Sequence, residues 1–430
     1  MTGAQLDQSN RPGLLPVVIG GDIGAYALAR QLHEATGQRV TLIASRPIQA
    51  IVLSSYIDVV FQEAEGEALI ALLQRLAANR AAHSAVVMAN HDSVAHTLAS
   101  HRGRLEPVYV VPFPSLRAME QLSNKVGFSA ACESLGLRTP RQAVITGADL
   151  AAGDPKIDIP FPLVGKAAIG SDWDELTFAG KRKIYFLDSP EQLHGLWEDL
   201  RRAEFASTFL IQEYIPGDDD AMRSVTAYVA STGETTMIGS ARVLLEDHAP
   251  SLIGNPVAMI TEPYPELWEA SERLLSLVDY RGFANLDIKI DPRDGQPVFF
   301  EVNPRIGRNS FYMSAAGVNP MVPMISDLVD GRPGPRREAR REVLYSLLPH
   351  HLLLHQLDDP ALRRRVVRLA PRAVDPLLDP AERSLRRRVL VAIQKLNHDR
   401  KFHRFHPKPL LRRRGDASRS CARRRTGNSP

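Results

Sequence analysis

At 430 residues, with an apolar content ordinary for a globular protein, the chain can bury two or three domain cores. Its two cysteines, Cys132 and Cys421, lie far apart in unlike surroundings, which excludes a disulfide framework or a zinc site; no apolar stretch reaches the roughly 18 residues of a spanning helix, so we expect a soluble protein of the reducing cytoplasm. The net charge of +4 hides a division: from residue 331 onward 26 Lys and Arg face 9 Asp and Glu, leaving 27 of the 53 basic and 40 of the 49 acidic residues to an acidic body.

Residues 15 to 45 read as strand, glycine turn, amphipathic helix (Ala27 to His33) and strand, a β-α-β unit. Gly20, Gly21 and Gly24 fall short of the dinucleotide spacing and no acidic residue ends the second strand, so a structural turn is the reading of choice. Apolar strands at Ala85 to Met88 and Val108 to Val111, with a helix between Glu65 and Arg80, continue a parallel-sheet pattern. His91 and Asp92 follow a strand, where such sheets bind ligands, but read as solvated loop residues.

Ser123 or Asn124 next caps a helix that Gly136 ends. Lys125 then stands in the first turn, where a cation opposes the helix dipole and needs an anion nearby; taken alone it is a surface lysine. An apolar strand delivers Lys166 at its end, ahead of a loop with Gly170 and Ser171. Thr208 to Pro216 is a further strand, followed by Asp218, Asp219 and Asp220, for which a solvated turn is the plainer reading. Arg223 and Arg242, on the succeeding strands, are candidates to face substrate, with a surface ion pair an equal reading for Arg242.

The sharpest signal is a hairpin. Asn-Leu-Asp-Ile-Lys-Ile-Asp and Pro-Val-Phe-Phe-Glu-Val-Asn read as strands around an Asp-Pro-Arg-Asp-Gly turn. Residues two apart on a strand share a face, so Glu301 and Asn303 project together, Phe300 and Val302 point into the core, and Asp287 meets the first pair from the partner strand. Two carboxylates and an amide oxygen suit Mg2+, with Mn2+ as a substitute, held by hard oxygen ligands beside a polyphosphate. Arg305 and Arg308 leave the sheet next to them, placed to neutralise transferred phosphate and grip an acidic substrate.

In chain order, Lys125, Lys166, Gln212-Glu213-Tyr214, Asp287 and Glu301-Val302-Asn303-Pro304-Arg305 resemble an ATP-grasp ligase over roughly residues 15 to 325. Within that superfamily the Gln-Glu-Tyr-Ile-Pro-Gly-Asp-Asp run and the metal hairpin look most like the D-aspartate ligase group of carboxylate-amine ligases. The resemblance implies an α/β chain: an N-terminal Rossmann-like parallel sheet (1–115) and an ATP-grasp fold with two α+β subdomains enclosing ATP (116–330, lid about 140–215); beyond it, composition predicts a basic helical extension with a disordered end (331–430). The resemblance also implies that Lys125 and Lys166 contact ATP, that the loop through Gly170 and Ser171 closes over phosphates, and that the backbone from Glu213 through Tyr214 to Ile215 meets adenine. Gln212 or Glu213 then accepts from the exocyclic amine, and one of Asp218, Asp219 and Asp220 binds ribose. The implied reaction joins a small-molecule carboxylate to an amine through an acyl phosphate, as in adding aspartate to a cell-wall (peptidoglycan) precursor, with Arg305, Lys166 and Arg308 as catalytic candidates; a homodimer is left open.

Two other readings are a bicarbonate-using carboxylase or carbamoyl-forming enzyme of the same superfamily, and a non-catalytic nucleotide sensor. Neither a biotin-attachment sequence nor a glutaminase nucleophile is apparent, and complete metal ligands with phosphate cations argue against a dead site. Beyond residue 331 helix-like stretches such as Leu344 to Leu354 and Leu385 to Leu396, with arginine triplets at 363–365 and 386–388, give a basis for association with an anionic inner membrane face. Nucleic acid is not expected, because no aromatics interleave.

Overall fold

The structure, a computed structural model, describes residues 11–62, 65–168, 173, 176–182, 184–249, 252 and 254–406. Among these residues the strands form three sheets. The first is all parallel, in the order β3 (Ile57–Val60), β2 (Val40–Ile43), β1 (Leu15–Ile19), β4 (Ala85–Ala89), β5 (Tyr109–Val110). The continuous apolar runs of β1 and β4 are buried because helices cover both faces. β1 stands where the strand order reverses direction, so the chain leaves β1 and β4 toward opposite sides at their carboxyl ends, the edge at which such sheets bind ligands.

After β1 the Asp22 carboxylate caps the helix Ile23–Thr36 by accepting from Ala25 N. That helix, expected to be amphipathic, is buried almost all round, Arg30 and Gln31 included. Helices Phe311–Ala315 and Met321–Leu328 pack on the side turned away from the sheet, and the Asn319 amide donates to Gln31 O at 2.9 Å.

The second sheet is antiparallel, in the order β6 (Gln142–Thr146), β9 (Thr208–Glu213), β7 (Leu163–Ala167), β8 (Tyr185–Leu187). Leu193, Leu196, Trp197 and Leu200, one face of the helix Pro190–Arg202, join Phe209 and Ile211 in its core.

The largest sheet runs β14 (Pro297–Asn303), β13 (Gly282–Ile290), β10 (Met222–Val229), β11 (Thr235–Glu246), β12 (Pro256–Thr261), β16 (Leu344–Ser346), with β15 (Arg337–Ala339) beside β11. One face packs on helices Lys125–Ser134 and Pro265–Leu277 through Phe128, Leu267 and Trp268. The stretch expected as one helix from Leu344 divides: Leu344, Tyr345 and Ser346 pair with Ile260, Met259 and Ala258, and the helix begins only at His350, after Pro349. Open β12 backbone groups favour a strand there over local helical bonding. The second expected helix extends from Leu385 to Phe405.

Candidate active site

The β13–β14 ladder sets Asp287 opposite Glu301 and Asn285 opposite Asn303, joined by a turn in which Gly295 takes φ 73°. The register slips between Asp287 and Ile288, leaving Phe300 as an extra residue in β14. This corrects one expectation: Phe299 fills the core, while Phe300 is half-buried. Without the bulge, either Glu301 or Phe299 would sit one register step away from its present partner.

Asp287 rests on a buried polar row. Its carboxylate accepts from Asn285 Nδ2 at 3.3 Å and Asn303 Nδ2 at 3.1 Å. Asn285 Oδ1 in turn accepts from Ser224 and Thr226, and Thr226 Oγ1 accepts from the Tyr312 hydroxyl at 2.9 Å. Glu301 faces cations instead. Lys125 Nζ donates to Glu301 Oε2 at 2.9 Å and to Phe300 O at 3.3 Å, from the first turn of the helix that Asn124 caps. Burial and then the charge of Glu301 push the Asp287 carboxyl up to about 8. Partial desolvation also opposes the charge on the half-buried Glu301, but Lys125, Lys166 and Arg305 overcome it and hold that carboxyl down to about 2.

Two carboxylates and an amide are oxygen donors of the kind a hard divalent cation takes. Among the described residues no group of three or more His, Cys, Asp or Glu is placed to hold a metal, so the candidate set is two carboxylates and an amide. The carboxylates repel one another, and a shared cation would relieve both burial and repulsion. Asn303 turns its NH2 toward Asp287 and its Oδ1 toward Arg305, which donates at 3.2 Å; rotating that amide by half a turn presents an oxygen to the Asp287 side. The residues fit Mg2+.

Arg305 and Arg308 reach the parallel sheet. Arg305 Nε lies 3.0 Å from Asp92 Oδ1, at ion-pair distance but not aligned for a hydrogen bond. Arg308 Nε donates to Asp22 Oδ2 at 2.5 Å, and Asn90 Nδ2 donates to Asp22 Oδ1 at 3.2 Å. Asn90 Oδ1 is buried with no hydrogen-bond partner among the described residues. A side chain at Gly24 would meet Asn90 Nδ2 at 2.2 Å and Arg308 Cγ at 2.7 Å, so glycine there permits the approach. Asp22 and Asn90 were missed by sequence reasoning and Asp92 was read as a loop residue. The one available signal was their position after β1 and β4, at the reversal of strand order.

The remaining candidates are more dispersed. Gln212 Nε2 donates to Gln142 Oε1 at 3.1 Å. The Glu213 carboxylate turns to Arg293 (2.9 Å) and Arg141 (3.4 Å), which keep it ionised against its burial. Lys289, not anticipated from the sequence, donates to Ile215 O at 3.0 Å and Gly217 O at 2.8 Å and lies 5.8 Å from the centre of the Tyr214 ring. Asp219 accepts from Glu246 N and pairs with His248, each at 2.9 Å, while Asp220 pairs with Arg242 at 3.0 Å. Strand alternation places Arg223, opposite Ile288, and Arg242, opposite Arg223, on the sheet face away from Asp287. The structure therefore does not bring these two arginines beside Asp287 and Glu301. Gly170 and Ser171 lie outside the described residues.

No protein-family model matches the chain. It is 30% identical over 312 residues to a D-aspartate ligase of Enterococcus faecium (strain Aus0004), covering 71% of this chain and 74% of that one. Its fold is that of N5-carboxyaminoimidazole ribonucleotide synthetase: a structure with ADP superposes with a TM-score of 0.56 at 16% identity, covering 84% of this chain and 86% of that chain. The Aspergillus clavatus enzyme complexed with ATP gives 0.53 at 16% identity, covering 77% and 81%. The chain therefore belongs to the ATP-grasp carboxylate-amine ligases, in the family of D-aspartate ligase, and is an ATP-dependent enzyme that forms C–N bonds.

Proposed function

We propose that this ligase transfers the γ-phosphate of ATP to the carboxylate of an amino acid such as aspartate, and that an amine of a cell-wall precursor then displaces phosphate to give an amide. The observation that carries the reading is the line of contacts from Lys125 through Glu301, Asp287 and Asn303 to Arg305, and on to Asp92. It joins a polyphosphate-compatible carboxylate cluster to the carboxyl edge of the parallel sheet. Similarity to a protein named D-aspartate ligase supports aspartate as the amino acid.

A carboxylate resists amines because oxide is a poor leaving group, whereas phosphate leaves readily. The protein's task is thus to position groups and offset charge, not to supply a nucleophile. In this reading Lys125 and Lys166 offset ATP phosphate charge, Gln212 through Ile215 border the adenine, and Asp219 or Asp220 meets the ribose. A magnesium ion held by Asp287, Glu301 and Asn303 would supply charge neutralisation at the phosphate oxygens. Arg305 and Arg308 orient the carboxylate being activated, and Asp22 and Asp92 fix those guanidinium groups in place. Excluding water then reserves the acyl phosphate for the amine.

Purified protein with ATP and Mg2+, screened for phosphate release against amino acids with and without wall-precursor peptides, tests this. Release that needs both an amino acid and an amine acceptor supports the reading. Release stimulated by bicarbonate alone refutes it.

A further inference from the structure

The helix Leu385–Phe405 has two unlike faces. One is locked to the body. Arg387 is 1% exposed, donates to Ala50 O and Leu377 O at 3.0 Å each, and lies over the Tyr26 ring. Val391 and Phe402 are buried beside it, Lys395 reaches Asp375 at 3.4 Å, and Lys401 pairs with Asp247.

The opposite face carries Leu385, Val389, Ile393 and Leu396, which are 75, 50, 49 and 60% exposed. Steps of four, four and three residues confine them to a stripe about 80° wide. Arg386, Arg388 and Arg400 are exposed around it. The helix's one carboxylate, Asp399, lies 3.2 Å from His351. In the sequence that follows, residues 407–430 hold eight Lys and Arg against one Asp. An apolar stripe bordered by cations complements a surface that is apolar beneath and anionic above. A second copy of the chain would oppose arginine to arginine, and a single narrow stripe supplies only a small part of the roughly 20–30 residues a side of a stable interface.

We propose that this face of the Leu385–Phe405 helix seats the enzyme on an anionic lipid bilayer, with Leu385, Val389, Ile393 and Leu396 entering the interface and Arg386, Arg388 and Arg400 meeting headgroup phosphates. The proposal stands apart from the identity of the amino acid and amine. It places the arginine triplet differently from a simple basic run, since Arg387 faces inward and anchors the helix that presents its neighbours.

Full-length protein should be sedimented with vesicles of phosphatidylcholine alone or mixed with phosphatidylglycerol. Wild type is expected to bind the mixed vesicles and not the zwitterionic ones. Leu385→Ser with Ile393→Ser, and separately Arg386→Ser with Arg388→Ser, should each weaken binding at least about tenfold without changing ATP turnover or melting temperature. The arginine pair serves as the second test, because neither side chain packs on the body. Wild type that ignores phosphatidylglycerol overturns the proposal, as does undiminished binding by both variants. Self-association that the Leu385/Ile393 variant abolishes, without any vesicle binding by wild type, would assign the stripe to a second copy instead.

Discussion

Asp287 and Glu301 stand directly opposite one another on β13 and β14, yet their surroundings drive their acidities apart. Burial and its neighbour's charge push Asp287 up to about 8, while Lys125, Lys166 and Arg305 keep the half-buried Glu301 ionised. At neutral pH without a cation the pair therefore carries one proton, largely on Asp287. Cation binding must release it, so Mg2+ affinity should rise with pH and level off above about 8. Calorimetry in two buffers of different ionisation enthalpy reads the proton directly, and its absence at pH 7 would contradict the arrangement.

The same raised acidity sets a sign for stability without cation. The folded protein holds the Asp287 proton where the unfolded chain has lost it, so this contribution is full at acid pH and declines as pH rises toward about 8. Asp287→Asn should flatten that part of the profile in melts with chelator, while losing ligase activity. A variant whose slope matches wild type would show that Asp287 does not titrate there.

Asp22 does two things, capping a helix and pairing with Arg308. Asp22→Asn keeps a capping oxygen and removes the charge, so its stability should change little while KM for the amino acid rises about tenfold or more. Asp22→Ala should add a stability loss of about 1 kcal/mol. Denaturant melts and steady-state kinetics on the two variants separate the roles; equal kinetics in wild type and Asp22→Asn would detach the pair from substrate.

Arg387 is enclosed, with Glu382 3.6 Å away and its side chain fully buried. Arg387→Met leaves that carboxylate without its cation and should cost about 3 kcal/mol in a urea melt. A loss under about 1 kcal/mol would mean that the carboxyl-terminal helix contributes little to the fold.

The range of each interaction decides how much of it is legible in the sequence. The hairpin, the cap at Asn124 and the placement of Lys125 rest on strand alternation and helix-end chemistry within about 20 residues, and all were legible. Arg305 and Arg308 were legible as residues leaving the sheet, but their partners were not. Asp22 meets Arg308 across 286 residues, a pairing no local pattern encodes. The bulge at Phe300 escaped because alternation alone predicts an unbroken strand. Leu344 to Ser346 read as helix because the open edge of β12 that captures them lies some 85 residues earlier in the chain. Arg223 and Arg242 were weighed as substrate residues; the strand register that turns them away appears only when β10, β11 and β13 are paired.

Phosphorylation of a carboxylate at the Asp287–Glu301 cluster moves one carboxylate oxygen into the released phosphate. Aspartate carrying heavy oxygen in its carboxylates should be incubated with ATP, Mg2+, an amine acceptor and the enzyme, and the released phosphate analysed by mass spectrometry. The account predicts one heavy oxygen per phosphate released with the amide, and loss of both products in Glu301→Gln. Unlabelled phosphate accompanying amide formation would contradict it.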